Sequence, residues 1–155
     1  MSKKIFFLLV IIFFSIAIGY FLFVSWNNAE YLSKTKHETD NWVVIIDSKE
    51  DIIAVETSDP NVWSSFSGLY ENQTELWIGG IIEEYDNYWG FRFNPDTIIV
   101  AEITIEGAQS NIRAISQDLN YWITIWSKPT YVLAKVEEIS DNTKIFLDFD
   151  SVLED

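Results

Sequence analysis

The chain has 155 residues, no cysteine and a formal charge of −14. That length, less one membrane span, suits a single folded domain with one core and leaves no room for a second. The lack of cysteine excludes disulfides, thiol nucleophiles and zinc-thiolate sites, and the acidic balance excludes nucleic acid as a partner.

In chain order, the first element is Ile5 to Val24, an uncharged run interrupted only by Ser15, Gly19 and Tyr20. As a helix rising about 1.5 Å per residue it covers roughly 30 Å, the hydrocarbon thickness of a bilayer. Lys3 and Lys4 precede it, while the next lysine is Lys34. The positive-inside tendency therefore puts residues 1–4 in the cytoplasm and everything after the span outside it. A cleaved secretory signal is the alternative, but its apolar core is normally about 7 to 15 residues and ends at a small-x-small site. Here the run is longer and ends at Phe23-Val24-Ser25-Trp26, so an uncleaved signal anchor is the expectation, with Trp26 at headgroup depth. Lys3 and Lys4 are the only charges before residue 25, and removing them from the formal −14 leaves −16 on the exported part. Such a surface favours solubility, cations or basic partners.

Residues 25–40 are polar and lack strong periodicity, which predicts a tether reaching at most about 50 Å when extended. It contains His37, the one histidine of the chain, so a Ser-His-Asp apparatus has no credible base. Residues 41–140 read as the folded domain. WVVII, the turn-forming DSKED and IIAVET predict a hairpin from Trp42 onward. Asp59 and Pro60 fit the cap and first position of a helix over about 60–70, with Val62, Trp63, Phe66, Leu69 and Tyr70 on one face. Glu75 to Tyr85 reads as a strand whose Gly79-Gly80 pair marks a bulge or a close backbone approach. Asn72-Gln73-Thr74 before it is a glycosylation sequon.

Trp89 to Glu106, WGFRFNPDTIIVAEITIE, predicts two long strands meeting at an Asn94-Pro95-Asp96-Thr97 turn. The second strand sets Ile99, Ala101, Ile103 and Ile105 on one face, yet Ile98 and Val100 make its other face apolar near the turn, so both faces need cover. A second helix is expected over about 111–122, capped by Ser110, with Ile112, Ile115, Leu119 and Trp122 on one stripe. Thr130 to Ile139 follows as a strand, and the acidic segment 141–155 contains another candidate over 144–149. The order suits an α+β fold: a transmembrane helix, then a split βαβ, ferredoxin-like sandwich with two helices on an antiparallel sheet and further strands at either end. An immunoglobulin-like sandwich is disfavoured by the two capped helices.

SDPNVW (58–63), WGFRFNPDTIIVAEITIE (89–106) and AKVEEI (134–139) resemble the small domain named after the amino-terminal region of a calmodulin-binding protein. Trp89, Phe91, Pro95, Asp96, Thr97, Ile105 and Glu106 carry the resemblance, which covers about residues 50–139. Members often have cysteines and a Trp-Ser-Ser stretch before the last strand, where this chain has Trp126-Ser127-Lys128-Pro129. The resemblance implies a fold and no activity. Calmodulin binding is not implied, since its targets are basic amphipathic helices and this sequence has none.

Carboxylates are the only acid-base equipment: Glu83, Glu84 and Asp86 around Tyr85, and Asp148 and Asp150. A glycosidase would need two of them at a defined separation, and a Ca²⁺ ion could neutralise Asp148 and Asp150 on one strand face. All seven tryptophans follow the span, and Tyr85, Tyr88 and Trp89 cluster before Gly90 as a stacking platform for a sugar or a basic peptide. Strand alternation argues that Trp89, Phe91 and Phe93 are core and that Arg92 points the other way into an ion pair. The expectation is a single-pass, membrane-anchored extracytoplasmic domain without cofactor or catalytic centre, acting through a protein partner or homo-oligomer. A sugar- or Ca²⁺-binding domain and a carboxylate hydrolase are the alternatives.

Overall fold

The computed structural model of the chain describes residues 3–103 and 106–140, in two compact units divided after Ser33. In the first unit, helix α1 (Lys3–Lys34) runs for 32 residues, about 48 Å at 1.5 Å each. Its Val10–Lys34 part has a mean hydropathy of 2.0, is long and apolar enough to cross a membrane, and has none of its apolar window buried within the protein. Phe13, Ile16, Phe21 and Phe23 are all exposed. A helix packed on a soluble core would hide one stripe of such residues, whereas these are exposed. It also continues past Val24 through Asn27, Asn28 and Glu30, where the sequence predicts an irregular tether.

In the second unit, β1 (Trp42–Asp47) and β2 (Ile52–Glu56) form the predicted hairpin, registered from Trp42 opposite Glu56 to Ile46 opposite Ile52. Helix α2 (Pro60–Asn72) begins where expected: Asp59 accepts from the Asn61 amide at 2.8 Å and Pro60 takes the first turn. Gln73, left-handed at φ 52°, ends it. The predicted strand over 75–85 is two strands, β3 (Leu76–Gly80) and β4 (Ile82–Glu84), lying in different sheets. Close approach explains the glycine pair. A Cβ at Gly79 would collide with the Thr130 carbonyl, and one at Gly80 would stand 2.9 Å from Thr97 Oγ1.

The turn at Asn94 is a single 3₁₀ turn, Pro95–Thr97, with the Asn94 side chain accepting from the Asp96 amide. The strands on either side are short and do not pair with each other. β5 (Phe91–Phe93) pairs with β4, and β6 (Ile99–Ala101) pairs with β3. The inward face of β6 is the one formed by Ile98, which is buried, and Val100, which packs on the core; Ile99 and Ile103 are exposed. Of the two apolar faces that the sequence expects to need cover, the core covers this one, and alternation alone does not say which face meets the protein. β7 (Ala108–Ser110) precedes α3 (Ile112–Gln117), whose cap is Asn111, accepting from the Ala114 amide at 2.9 Å, rather than Ser110. Beyond α3 the expected helical stripe becomes a π-helical turn, Tyr121–Trp126.

β8 (Thr130–Ile139) is the axis of the sheet, whose order is β2-β1-β8-β3-β6, with β7 also pairing β8 in parallel. The ferredoxin-like order is not what forms: a split βαβ unit beginning at β2 would set that strand in the interior of the sheet, whereas β2 lies at its edge. The hairpin joins the sheet through β1, which pairs with β8, and this leaves β2 at the edge. What holds is the coarser class, α+β, with a largely antiparallel sheet. One core joins Val43, Ile45, Ile53, Val55, Ile78, Val132 and Val136 of the sheet to Phe66 and Leu69 of α2, Ile112 and Ile115 of α3, and Phe91 and Phe93 of β5. The candidate strand over 144–149 lies outside the described residues.

Candidate functional site

The sequence nominates Tyr85, Tyr88, Trp89 and Arg92, and the structure divides them into two kinds. Trp89 is core. It is buried, its indole donates to the Ile52 carbonyl at 2.6 Å, and its own carbonyl accepts from Ser116 Oγ at 2.8 Å. Tyr88 is exposed and meets the Trp89 ring edge-on at 4.9 Å. Both sit in a tight turn between β4 and β5, closed by the Gly90 amide donating to the Asn87 carbonyl, where Gly90 takes the positive φ of 76°.

Arg92 is the hub of the other group. Strand alternation sends Phe91 and Phe93 into the core and Arg92 to the opposite face, where three carboxylates meet it. Glu83 Oε1 lies 2.6 Å from Nε, and Glu38 Oε2 and Glu56 Oε1 lie 3.1 and 3.6 Å from the same Nη1. Glu83 also accepts from Asn94 Nδ2 at 2.9 Å, and Glu56, which is buried, accepts from the Thr39 amide at 2.9 Å. The guanidinium stands 4.6 Å from the centre of the Tyr85 ring. Tyr85 Oη is buried and has no hydrogen-bond partner among the described residues. Burial, then the charges of Glu38 and Glu56, raise the Tyr85 phenol above its ordinary pKa, with Arg92 pulling the other way.

The segment between Lys34 and Thr39 completes the site, and sequence reasoning missed it by reading a tether. Lys36 Nζ donates to the Asp86 carbonyl, pairs with Asp86 Oδ2 at 3.1 Å and lies 5.2 Å from the Tyr85 ring centre. Lys34 Nζ lies 4.6 Å from the Tyr88 ring and 5.2 Å from that of Trp89. His37 stacks on Trp42 at 4.2 Å. Beside Lys36, Glu84, Tyr85, Asp86, Gly90 and Leu119 line a cleft of about 310 Å³. The only advance signal was charge: a basic pair, Lys34 and Lys36, in an acidic chain.

A second arginine, Arg113 of α3, pairs with Asp51 at 2.7 Å. Asp51 and Asp47 are both buried. Asp47 accepts from the amides of Lys49 and Asp51 through Oδ1 and from that of Ile112 through Oδ2, which fastens the β1–β2 turn to the start of α3. A further cleft of about 630 Å³ is lined by Glu106, Gly107, Trp126, Lys128 and Pro129, with Lys128 Nζ 5.6 Å from the Trp126 ring.

Of the candidate carboxylates, Glu83 is consumed by Arg92 and Asn94, Asp86 by Lys36, and Glu84 is exposed. The place where Glu38, Glu56 and Glu83 converge is filled by the guanidinium of Arg92. Asp148 and Asp150 lie outside the described residues. Asn72 is exposed at the last turn of α2 and donates through Nδ2 to the Gly68 carbonyl. Set against family models, curated proteins and solved structures, the chain has no match in any of the three.

Proposed function

We propose that this chain is a single-pass, membrane-anchored domain, held outside the cytoplasm, that works by contact with other proteins rather than by catalysis. The observation that carries the proposal is the helix Val10–Lys34, long and apolar enough to span a bilayer and with no part of its apolar window buried. Lys3 and Lys4 before the apolar run support a cytoplasmic amino terminus. The contact role is supported by exposed apolar side chains on the folded unit, Ile99, Ile103 and Ile125, and by an arginine-carboxylate group whose members are already paired with one another. The likeness of residues 50–139 to the calmodulin-binding-protein amino-terminal domain supports a proposal about the fold and none about an activity.

Alkaline carbonate extraction of membranes from cells making the full chain tests the anchor, and protease added to intact cells or spheroplasts tests the side. Retention in the pellet with loss of the domain to external protease is expected. Recovery of the intact chain in the soluble fraction would overturn the proposal. Chemical crosslinking in the same membranes is expected to yield an adduct containing this chain.

A further inference from the structure

Resting on the exported side that the proposed function gives the folded unit, we infer that Asn72 is a modification site, the acceptor of one N-linked glycan. Asn72-Gln73-Thr74 meets the acceptor rule, an asparagine with a hydroxyl residue two places on and no proline between them, and no other asparagine of the chain meets it. Whether such a triad can carry a bulky, hydrated group is decided by the fold. Here residues 71–75 are all exposed, a run that joins the last turn of α2 to β3. Gln73 takes a left-handed φ of 52° and the Thr74 amide donates to the Leu69 carbonyl at 3.3 Å, so the triad forms the turn that ends the helix and takes no part in a sheet ladder. One helical turn back, at Gly68, nothing stands within 4 Å of where a Cβ would lie, which leaves the surface beside Asn72 open. The triad belongs neither to the core nor to either arginine-carboxylate group.

The Asn72 amide also tolerates the change. Its Nδ2 carries two hydrogens and donates to the Gly68 carbonyl at 2.8 Å; glycosylation replaces one hydrogen and leaves one N–H, enough for that bond. The donor by chemical class is an oligosaccharide linked through phosphate to a membrane lipid. In the transfer the bond from Nδ2 to the first sugar carbon forms as the bond from that carbon to the phosphate oxygen breaks. The lipid phosphate leaves with the electron pair, and a base of the membrane glycosyltransferase takes the Nδ2 proton. Asn72 lies about 50 residues past the apolar run, a reach of roughly 150 Å in an unfolded chain, so the anchor does not hold it back from such an enzyme. It also precedes β8, and therefore emerges before the sheet closes; after closure it is still at the surface. Both the nascent and the folded chain offer the acceptor.

The test makes the full chain in cells that glycosylate exported proteins at asparagine. Membrane extracts are read by electrophoresis and by peptide mass spectrometry after treatment with a glycan-cleaving amidase, which leaves an aspartate where a glycosylated asparagine stood. One glycan per chain, all of it at Asn72, is expected. Thr74→Ala and Asn72→Gln are each expected to abolish it, and Thr74→Ser, which keeps the hydroxyl, to retain it. Because both positions are exposed, the variants are expected to melt within a few degrees of the parent chain stripped of its glycan. Should a variant fail to fold, the spectrum of the parent chain decides alone, and an unmodified Asn72 there overturns the inference. A glycan that persists in Asn72→Gln overturns it as well. A bare Asn72 in a chain whose domain is lost to external protease would reject this inference and retain the proposed function. A chain glycosylated at Asn72 yet freed by carbonate would do the reverse. A domain both bare and shielded from external protease would overturn the two together.

Discussion

The two arginine-carboxylate groups look alike on paper and differ in which partner is buried. Around Arg113 the carboxylates are inside and the arginine is outside: Asp51 is 4% exposed and Arg113 61%. Around Arg92 the arginine is the more protected centre, and its carboxylates range from buried Glu56 to exposed Glu38. Asp47, in the first group, takes its bonds from backbone amides of two elements; the second group bonds side chain to side chain, and to a segment flanking the fold. Backbone amides cannot rearrange without unfolding the turn, whereas side-chain partners exchange. The first group therefore fastens the β1–β2 turn to α3, and the second joins the ends of β2, β4 and β5 to residues 38 and 39.

The largest expected effect tests the structural side of that contrast. Asp47→Ala strands the amides of Lys49, Asp51 and Ile112 in a buried place and should cost about 3 kcal/mol or more, read by denaturant unfolding of the full chain in detergent. Next, Arg92→Met leaves Glu56 buried beside two other carboxylates and should cost about 2 kcal/mol; a loss below that of Glu38→Gln would erase the distinction between centre and periphery. Glu38→Gln itself should cost at most about 1 kcal/mol, and less still in high salt.

The smallest effect at neutral pH belongs to Tyr85→Phe, because the lost hydroxyl had no partner among the described residues; the melting temperature should stay within a few degrees. The sign of its pH dependence follows from the raised phenol pKa. The fold favours the neutral form, so this contribution is complete below the ordinary value of about 10 and is lost as pH rises through the folded-state value. Alkaline unfolding should therefore be steeper in the parent chain than in Tyr85→Phe, and identical profiles would count against the burial of the phenol.

Local signals in the sequence were legible where one residue serves one bond. Asp59-Pro60, the Asn94 turn, the β1–β2 hairpin and β8 all stand where pattern and cap chemistry put them. The inward alternation of Trp89, Phe91 and Phe93, and with it the outward turn of Arg92, was legible for the same reason. Strand order was not, since β1 and β3 pair with β8 across some 50 to 90 residues and nothing local encodes the meeting. Nor were Glu38, Glu56 and Lys36 as members of the site: each is an ordinary charged residue until the sheet brings it to Arg92 or Tyr85. Glu56 ends a strand in which Ala54 and Glu56 share one face, and that face reads as solvated until its burial is seen.

The position of β8 in the chain also bears on biogenesis. Among the described residues its ten are the sole bridge between the β1–β2 pair and the β3–β6 pair, so that part of the sheet cannot close while they are still on the ribosome. A nascent polypeptide held in that state displays unsatisfied strand edges and apolar faces, the condition in which holdase chaperones bind.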